Sequence, residues 1–239
     1  MRTHLIAALA ATTLGVSSLP GHAAEDRSFV DLRLLGTMDG GGFREDAGDA
    51  GSISASVDDG LGWGLRGAWE FTPGWHVYGE WGVSNTSLEV RLRDSAGNRI
   101  DSDDSDFDMT RASVGFGYTW ALGQDWDLYG RVTWDYIEYG DFDTLNLDGP
   151  GQVSIGDEDD NGVGATVGAR WYGGAWELEA WGRYTQTGEL TQDGDGVDFD
   201  NDFGGGARAV YHFGQNWSAG ADYELADIDT WSAFVRYRF

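Results

Sequence analysis

Leu61-Gly62-Trp63-Gly64-Leu65-Arg66-Gly67-Ala68-Trp69-Glu70-Phe71 is the stretch that decides the fold. Its odd positions are apolar or aromatic apart from Gly67, and its even positions are glycine, alanine or charged. A period of two sustained this long is a β-strand with one apolar face and one small or charged face. The same alternation returns in Trp75, Val77, Gly79, Trp81 and in Val114, Phe116, Tyr118, Trp120. It continues through Trp126, Leu128, Val132, Trp134, then Val163 to Trp171, Trp176 to Ala180, Phe203 to Phe213, Trp217 to Tyr223 and Trp231 to Phe239. With a first strand carrying Val30, Leu32 and Leu34, the reading gives ten strands, with eight as the alternative count.

Four connections are tight and alike, each placing turn residues before a tryptophan: Phe71-Thr72-Pro73-Gly74-Trp75, Leu122-Gly123-Gln124-Asp125-Trp126, Tyr172-Gly173-Gly174-Ala175-Trp176 and Phe213-Gly214-Gln215-Asn216-Trp217. The opposite connections are long and acidic, over 39–59, 93–108, 137–161 and 186–201, with a short one at 226–230. An even number of strands puts both chain ends on the short-turn side.

The chain has 239 residues, 41 acidic against 15 basic, a formal net charge of −26 and no cysteine. Every basic residue is arginine. A 14 % aromatic and 41 % hydrophobic content separates it from acidic disordered chains, which lack apolar surface to offset chain entropy. The absence of cysteine excludes disulfides, a thiol nucleophile and cysteine-ligated metal. So acidic a chain lacks the basic face that nucleic acid requires. Residues 1–23 read as a secretory signal, with Arg2, an apolar run from Leu5 to Leu19 and small residues at Gly21 and Ala23. Residues 24–239 form the barrel. No later segment approaches the ~18 apolar residues of a spanning helix.

Alternation alone also fits a soluble barrel with an apolar interior. Four features point the other way. Turns are short at one end and long at the other, aromatics cluster at strand ends, the chain closes on a strand ending in Phe239, and the charged face is glycine-rich. From Trp126 to Trp134, or Trp63 to Phe71, a tilted strand rises ~20 Å, close to the ~25 Å apolar band of membrane barrels. The expected fold is an all-β, transmembrane, antiparallel up-and-down barrel in the cell outer membrane, with short periplasmic turns and long acidic extracellular loops.

The inward parity then carries Arg66, Glu80, Arg111, Arg131, Asp135, Arg170, Glu177, Glu179, Arg183, Arg208, Asp222, Glu224, Arg236 and Arg238. Buried charges must be paired, and guanidinium suits bidentate pairing. These residues are expected to meet across the interior and block it. Tyr237 and Phe239 end the last strand on the lipid face.

The run Phe213-Gly214-Gln215-Asn216-Trp217, Asp222, Ala226-Asp227-Ile228-Asp229-Thr230 and the terminal Phe239 resembles the end of the short outer-membrane barrels labelled "sulfation-dependent quorum factor". Gly115-Phe116-Gly117-Tyr118 with Arg131-Val132, and Val167-Gly168-Ala169-Arg170, resemble that family's hairpins, and the likeness runs from about Gly62 onward. More loosely, the chain is similar to opacity-type and OmpX-like barrels. The resemblance implies fold, outer-membrane location and use of Tyr237 and Phe239 as an assembly signal for the barrel assembly machinery. It implies no signalling role, because the short N-terminal motif is missing.

No catalytic residue and no cofactor are expected. Ten-stranded outer-membrane proteases work with histidine and aspartates on the outer rim, whereas His76 and His212 adjoin short turns. Asp157, Asp159, Asn161 and Gly162 match the first half of a calcium loop, but the position of its bidentate glutamate is Gly168. A second acidic group comprises Asp193, Asp195, Asp198, Asp200 and Asp202, and a third Asp103, Asp104, Asp106 and Asp108. A solvated loop is the simpler reading of all three. Two functions stay open: a structural or interaction barrel with a closed lumen, monomeric and touching outer-membrane lipid and lipopolysaccharide, and a small cation-favouring pore.

Overall fold

Alternating apolar and polar side chains dictate extended backbone, and sixteen strands result among the described residues. The computed structural model describes residues 28–38, 40–46, 52–57, 59–140, 145–147, 151–153, 158–187, 189–192, 195–198, 203–226 and 229–239. The strands are β1 (Phe29–Thr37), β2 (Gly40–Asp46), β3 (Ser52–Val57), β4 (Gly60–Thr72), β5 (Trp75–Arg93), β6 (Arg99–Ala121), β7 (Trp126–Gly140) and β8 (Leu145–Leu147). They continue with β9 (Gly151–Val153), β10 (Glu158–Gly173), β11 (Trp176–Thr185), β12 (Glu189–Gln192), β13 (Asp195–Asp198), β14 (Phe203–His212), β15 (Trp217–Leu225) and β16 (Thr230–Arg238).

Ten of them, β1, β4, β5, β6, β7, β10, β11, β14, β15 and β16, pair antiparallel in chain order. The barrel closes where β16 returns to β1, in unbroken register from Phe29 opposite Arg238 to Thr37 opposite Thr230. The short turns between them use glycine in the left-handed region at Gly74, Gly123 and Gly174, which a side chain rarely adopts.

The barrel is inside-out relative to a soluble protein. Leu32 is 59 % exposed and Val167 69 %, whereas Asp31, between two outward apolar residues, is fully buried. The outward face is an apolar band edged by aromatic pairs. At the short-turn end Trp75 meets Tyr118, Trp176 meets Tyr211 and Trp217 meets Tyr237, each with ring centroids 5.0 Å apart. These are direct cross-strand partners. Toward the long-loop end Trp63 and Trp81 pack edge to face at 5.0 Å.

The long connections differ from the sequence reading. The stretch 93–108 is almost entirely ladder, since β5 and β6 continue past the rim from Thr86 opposite Phe107 to Arg93 opposite Arg99. Aspartate disfavours strands, but Leu88, Val90 and Leu92 alternate with Glu89, Arg91 and Arg93 and give β6 a partner throughout. Only 94–98 turns the chain, held by the Asp94 side chain. Strand β3 pairs with the outer part of β5, and β2 with β3, so four strands form a ribbon beyond the barrel. Strands β8 and β9, and β12 and β13, form two small hairpins in the other long connections. Strand β7 runs to Gly140 and β10 starts at Glu158, so the connection at 137–161 is shorter at both ends than its composition suggests.

Candidate functional site

The lumen holds the chemistry. Inward positions of neighbouring strands sit opposite one another, so register alone sets Asp31 beside Arg66 and Arg236, and Glu179 beside Arg170 and Arg208. Arg66 donates to Asp31 at 2.6 Å and Arg236 donates to its other oxygen at 2.7 Å. Arg208 bridges Glu179 at 2.9 Å and Asp222 at 3.0 Å. Arg170 Nε lies 3.3 Å from both Glu177 and Glu179. Two links then cross the bore: Arg66 to Asp222 at 2.9 Å and Arg236 to Glu177 at 3.4 Å.

The links close on themselves. Reading around, Asp31, Arg66, Asp222, Arg208, Glu179, Arg170, Glu177 and Arg236 form one ring of alternating sign. Six links join adjacent strands and two span the interior. Arg33 ties the ring to Glu80, and its other nitrogen donates to Asp222 at 3.1 Å. Ser232 completes Asp222 with a 2.6 Å bond. Each ring carboxylate therefore faces two or more guanidinium groups, the condition under which buried charge is tolerable.

Aromatic rings pack the remaining space. The Phe234 ring lies among Arg66, Arg208 and Arg236, 5.0, 5.9 and 5.4 Å from their guanidinium carbons. Tyr129 donates to Glu179 at 2.5 Å, with Arg131 and Arg170 against its ring. Tyr129 fits because the facing residue is Gly168, where a Cβ would sit 2.5 Å from the ring. Gly206 likewise gives way to Trp181, over which Arg208 stacks at 5.0 Å.

Not every inward charge joins the ring. Arg183 and Glu224 lie nearer the long loops, Arg183 reaching Asp135 at 2.9 Å and Glu224 at 3.8 Å. Among the described residues Arg131 forms no ion pair with a carboxylate. Its Nε donates to His76 Nε2 at 3.3 Å, and its guanidinium lies between Tyr78 and Tyr129. That bond requires a neutral His76 ring protonated at Nδ1, beside the Gly74 carbonyl. Arg111 stands apart with no partner among the described residues. The expectation that it too meets an acid across the bore is thus corrected: its β5 and β7 neighbours are Gly82 and Ile137. Arg238 sits at the short-turn rim, donating to the Gln215 carbonyl.

Sequence reasoning missed Asp31 and Arg33, although both alternate with Val30, Leu32 and Leu34 and the parity rule reaches them. It also passed over Tyr78, Tyr129 and Phe234, whose pairing with arginine is not a periodic signal. His76 and His212 are buried at the short-turn end, and His212 contacts Ser218 at 2.6 Å and Glu177 at 3.4 Å. Tyr237 and Phe239 face outward and exposed, Tyr237 against Trp217.

The calcium-loop candidates fall in a strand. Asp159 and Asn161 belong to β10, exposed and paired in register with Glu138 and Tyr136, while Asp157 lies outside the described residues. A strand holds alternate side chains too far apart to wrap an ion as a loop does. Among the described residues no group of three or more His, Asp or Glu has metal-holding geometry. Asp195 and Asp198 lie in β13, while Asp193, Asp200 and Asp202 lie outside the described residues.

No family model matches the chain, and no curated protein matches it in sequence. Solved structures do match in fold. The outer membrane protease OmpT from Escherichia coli superposes with a TM-score of 0.57 at 10 % identity, over 90 % of this chain and 97 % of that one. The outer membrane protein OprG from Pseudomonas aeruginosa gives 0.49 at 14 % identity, over 90 % and 98 %. The translocator domain of autotransporter NalP from Neisseria meningitidis gives 0.47 at 14 %, over 90 % of each chain. With its closed antiparallel strands, outward apolar band and charged lumen, the chain has the fold of an outer-membrane β-barrel.

Proposed function

We propose that this protein is a closed structural barrel of the cell outer membrane, presenting its acidic long-loop end to the outside, and not an enzyme or an open pore. The observation that carries this reading is the eight-membered ring of ion pairs, two of whose links cross the bore. Moving ions through it would require parting desolvated charges, each worth several kcal/mol when left unpaired. The alternative, a small cation-favouring channel, needs that ring to open. Against an enzyme stands the position of His76 and His212 at the short-turn end, away from the outer rim.

The same reading gives residues 1–23 to a secretory signal, the short turns to the periplasm, and Tyr237 and Phe239 to recognition by the barrel assembly machinery. It makes the barrel a monomer whose partners are outer-membrane lipid and lipopolysaccharide. The likeness to the short barrels labelled "sulfation-dependent quorum factor" is kept here as a matter of hairpin sequence, with no signalling role. Planar-bilayer recording of the refolded protein tests the closed lumen. The expected result is no stable conductance step, and steady cation-selective steps would overturn the proposal.

A further inference from the structure

Between the ring and the long-loop end lies a cavity of about 140 Å³. That is room for roughly four or five water volumes, or one small organic molecule. Its charged lining includes Arg33, Glu80, Asp135 and Arg183, and Leu35, Met109 and Ile137 supply an apolar wall. Toward the ring its lining is the Arg33–Glu80 pair and Arg183 with its partners Asp135 and Glu224.

Arg111 does not fit the logic of its surroundings. Of the three arginines lining the cavity, Arg33 is paired with Glu80 and Asp222, and Arg183 with Asp135 and Glu224. Arg111 has no acceptor among the described residues, and its Nε is buried. Its neighbour on β5 is Gly82, which offers no acceptor side chain and against which the Leu35 side chain packs. A partly desolvated guanidinium without an acceptor costs free energy that an incoming anion restores.

We propose that this cavity binds a small carboxylate with an apolar body, the carboxylate taken by Arg111 and the body laid against Leu35, Met109 and Ile137. The acidic surface of the chain opposes an approaching anion, but only over a Debye length of about 8 Å at physiological salt. Specificity inside the pocket is therefore set by Arg111. The inference rests on the closed lumen for its lower wall; conductance tests that wall and ligand titration tests the pocket, so the two fail separately.

The test is an NMR titration of the full-length barrel, refolded in zwitterionic detergent, with benzoate and with its neutral isostere benzamide. Benzoate should bind saturably, and benzamide about tenfold or more weakly, since it forfeits a charge-assisted contact. This comparison needs no variant to fold. Arg111→Gln, checked for unboiled gel mobility, should weaken benzoate about tenfold, and Arg111→Lys should weaken it less. Equal binding of the two probes, no saturable benzoate binding, or unchanged benzoate affinity in Arg111→Gln would each overturn the assignment.

Discussion

Truncating Glu179 tests the ring at a single carboxylate. Its side chain is 1 % exposed and takes three donors: Arg208 Nη1 at 2.9 Å, Arg170 Nε at 3.3 Å and the Tyr129 hydroxyl at 2.5 Å. Glu179→Ala opens the ring and leaves a buried hydroxyl and two guanidinium groups short of an acceptor. Breaking a buried pair in this way costs about 3–5 kcal/mol. Two features hold the value near the lower end. Arg208 keeps Asp222 and Arg170 keeps Glu177, and a cavity of about 40 Å³ beside Glu179 has room for a water molecule. With a urea slope of about 2 kcal/mol per molar, a loss of about 3 kcal/mol lowers the unfolding midpoint by about 1.5 M. Asp159→Ala, on an exposed site of β10, should stay within about 0.5 kcal/mol of the parent. Tryptophan fluorescence in detergent against urea reads both variants. A midpoint for Glu179→Ala no lower than that of Asp159→Ala would refute the argument, and an accompanying change in planar-bilayer current would replace the closed lumen with a water-filled one.

Gly168→Ala places a Cβ against the Tyr129 ring and should cost about 1–3 kcal/mol by overpacking. In that background Tyr129→Phe should cost less than in the parent, because the hydroxyl has already left Glu179; additive urea midpoints would count against the coupling. Deleting Phe239 should reduce heat-modifiable protein in outer-membrane fractions while secretion to the periplasm continues, and normal assembly would make the terminal aromatic mere girdle. At the tip of the β5–β6 ribbon, the Asn98 side chain and backbone N–H groups donating to Asp94 hold its carboxyl below the ordinary value. Because that value is depressed on folding, the turn is favoured above the ordinary aspartate range near ~3.9 and loses this support as pH falls through the lowered value. Carboxyl NMR should show Asp94 titrating low, and Asn98→Ala should raise it; an unchanged midpoint in that variant would count against the bonds.

Periodicity legible in the sequence assigned each strand residue to lipid or lumen, because successive side chains of a strand must point opposite ways. It fixed the charged face around Arg66, Glu179 and Arg208, and read consistently it reaches Asp31 and Arg33 too. It underestimated the ribbon beyond Asn85 and Asp108, since aspartate-rich composition hides a ladder that a partner strand stabilises. What periodicity has no means to supply is which arginine meets which acid across the bore. Arg236 and Glu177 lie 59 residues apart on strands that do not touch, as Arg66 and Asp222 lie 156 apart. Their meeting depends on strand stagger and on closure of β16 against β1, which set the height of each side chain in the lumen. The register of β6 against β5 and β7 sets Arg111 opposite Gly82 and Ile137 instead of a carboxylate. Sequence determined that charge would line the interior, and only the tertiary structure decided that eight of those charges close into a ring and that Arg111 is left without an acceptor among the described residues.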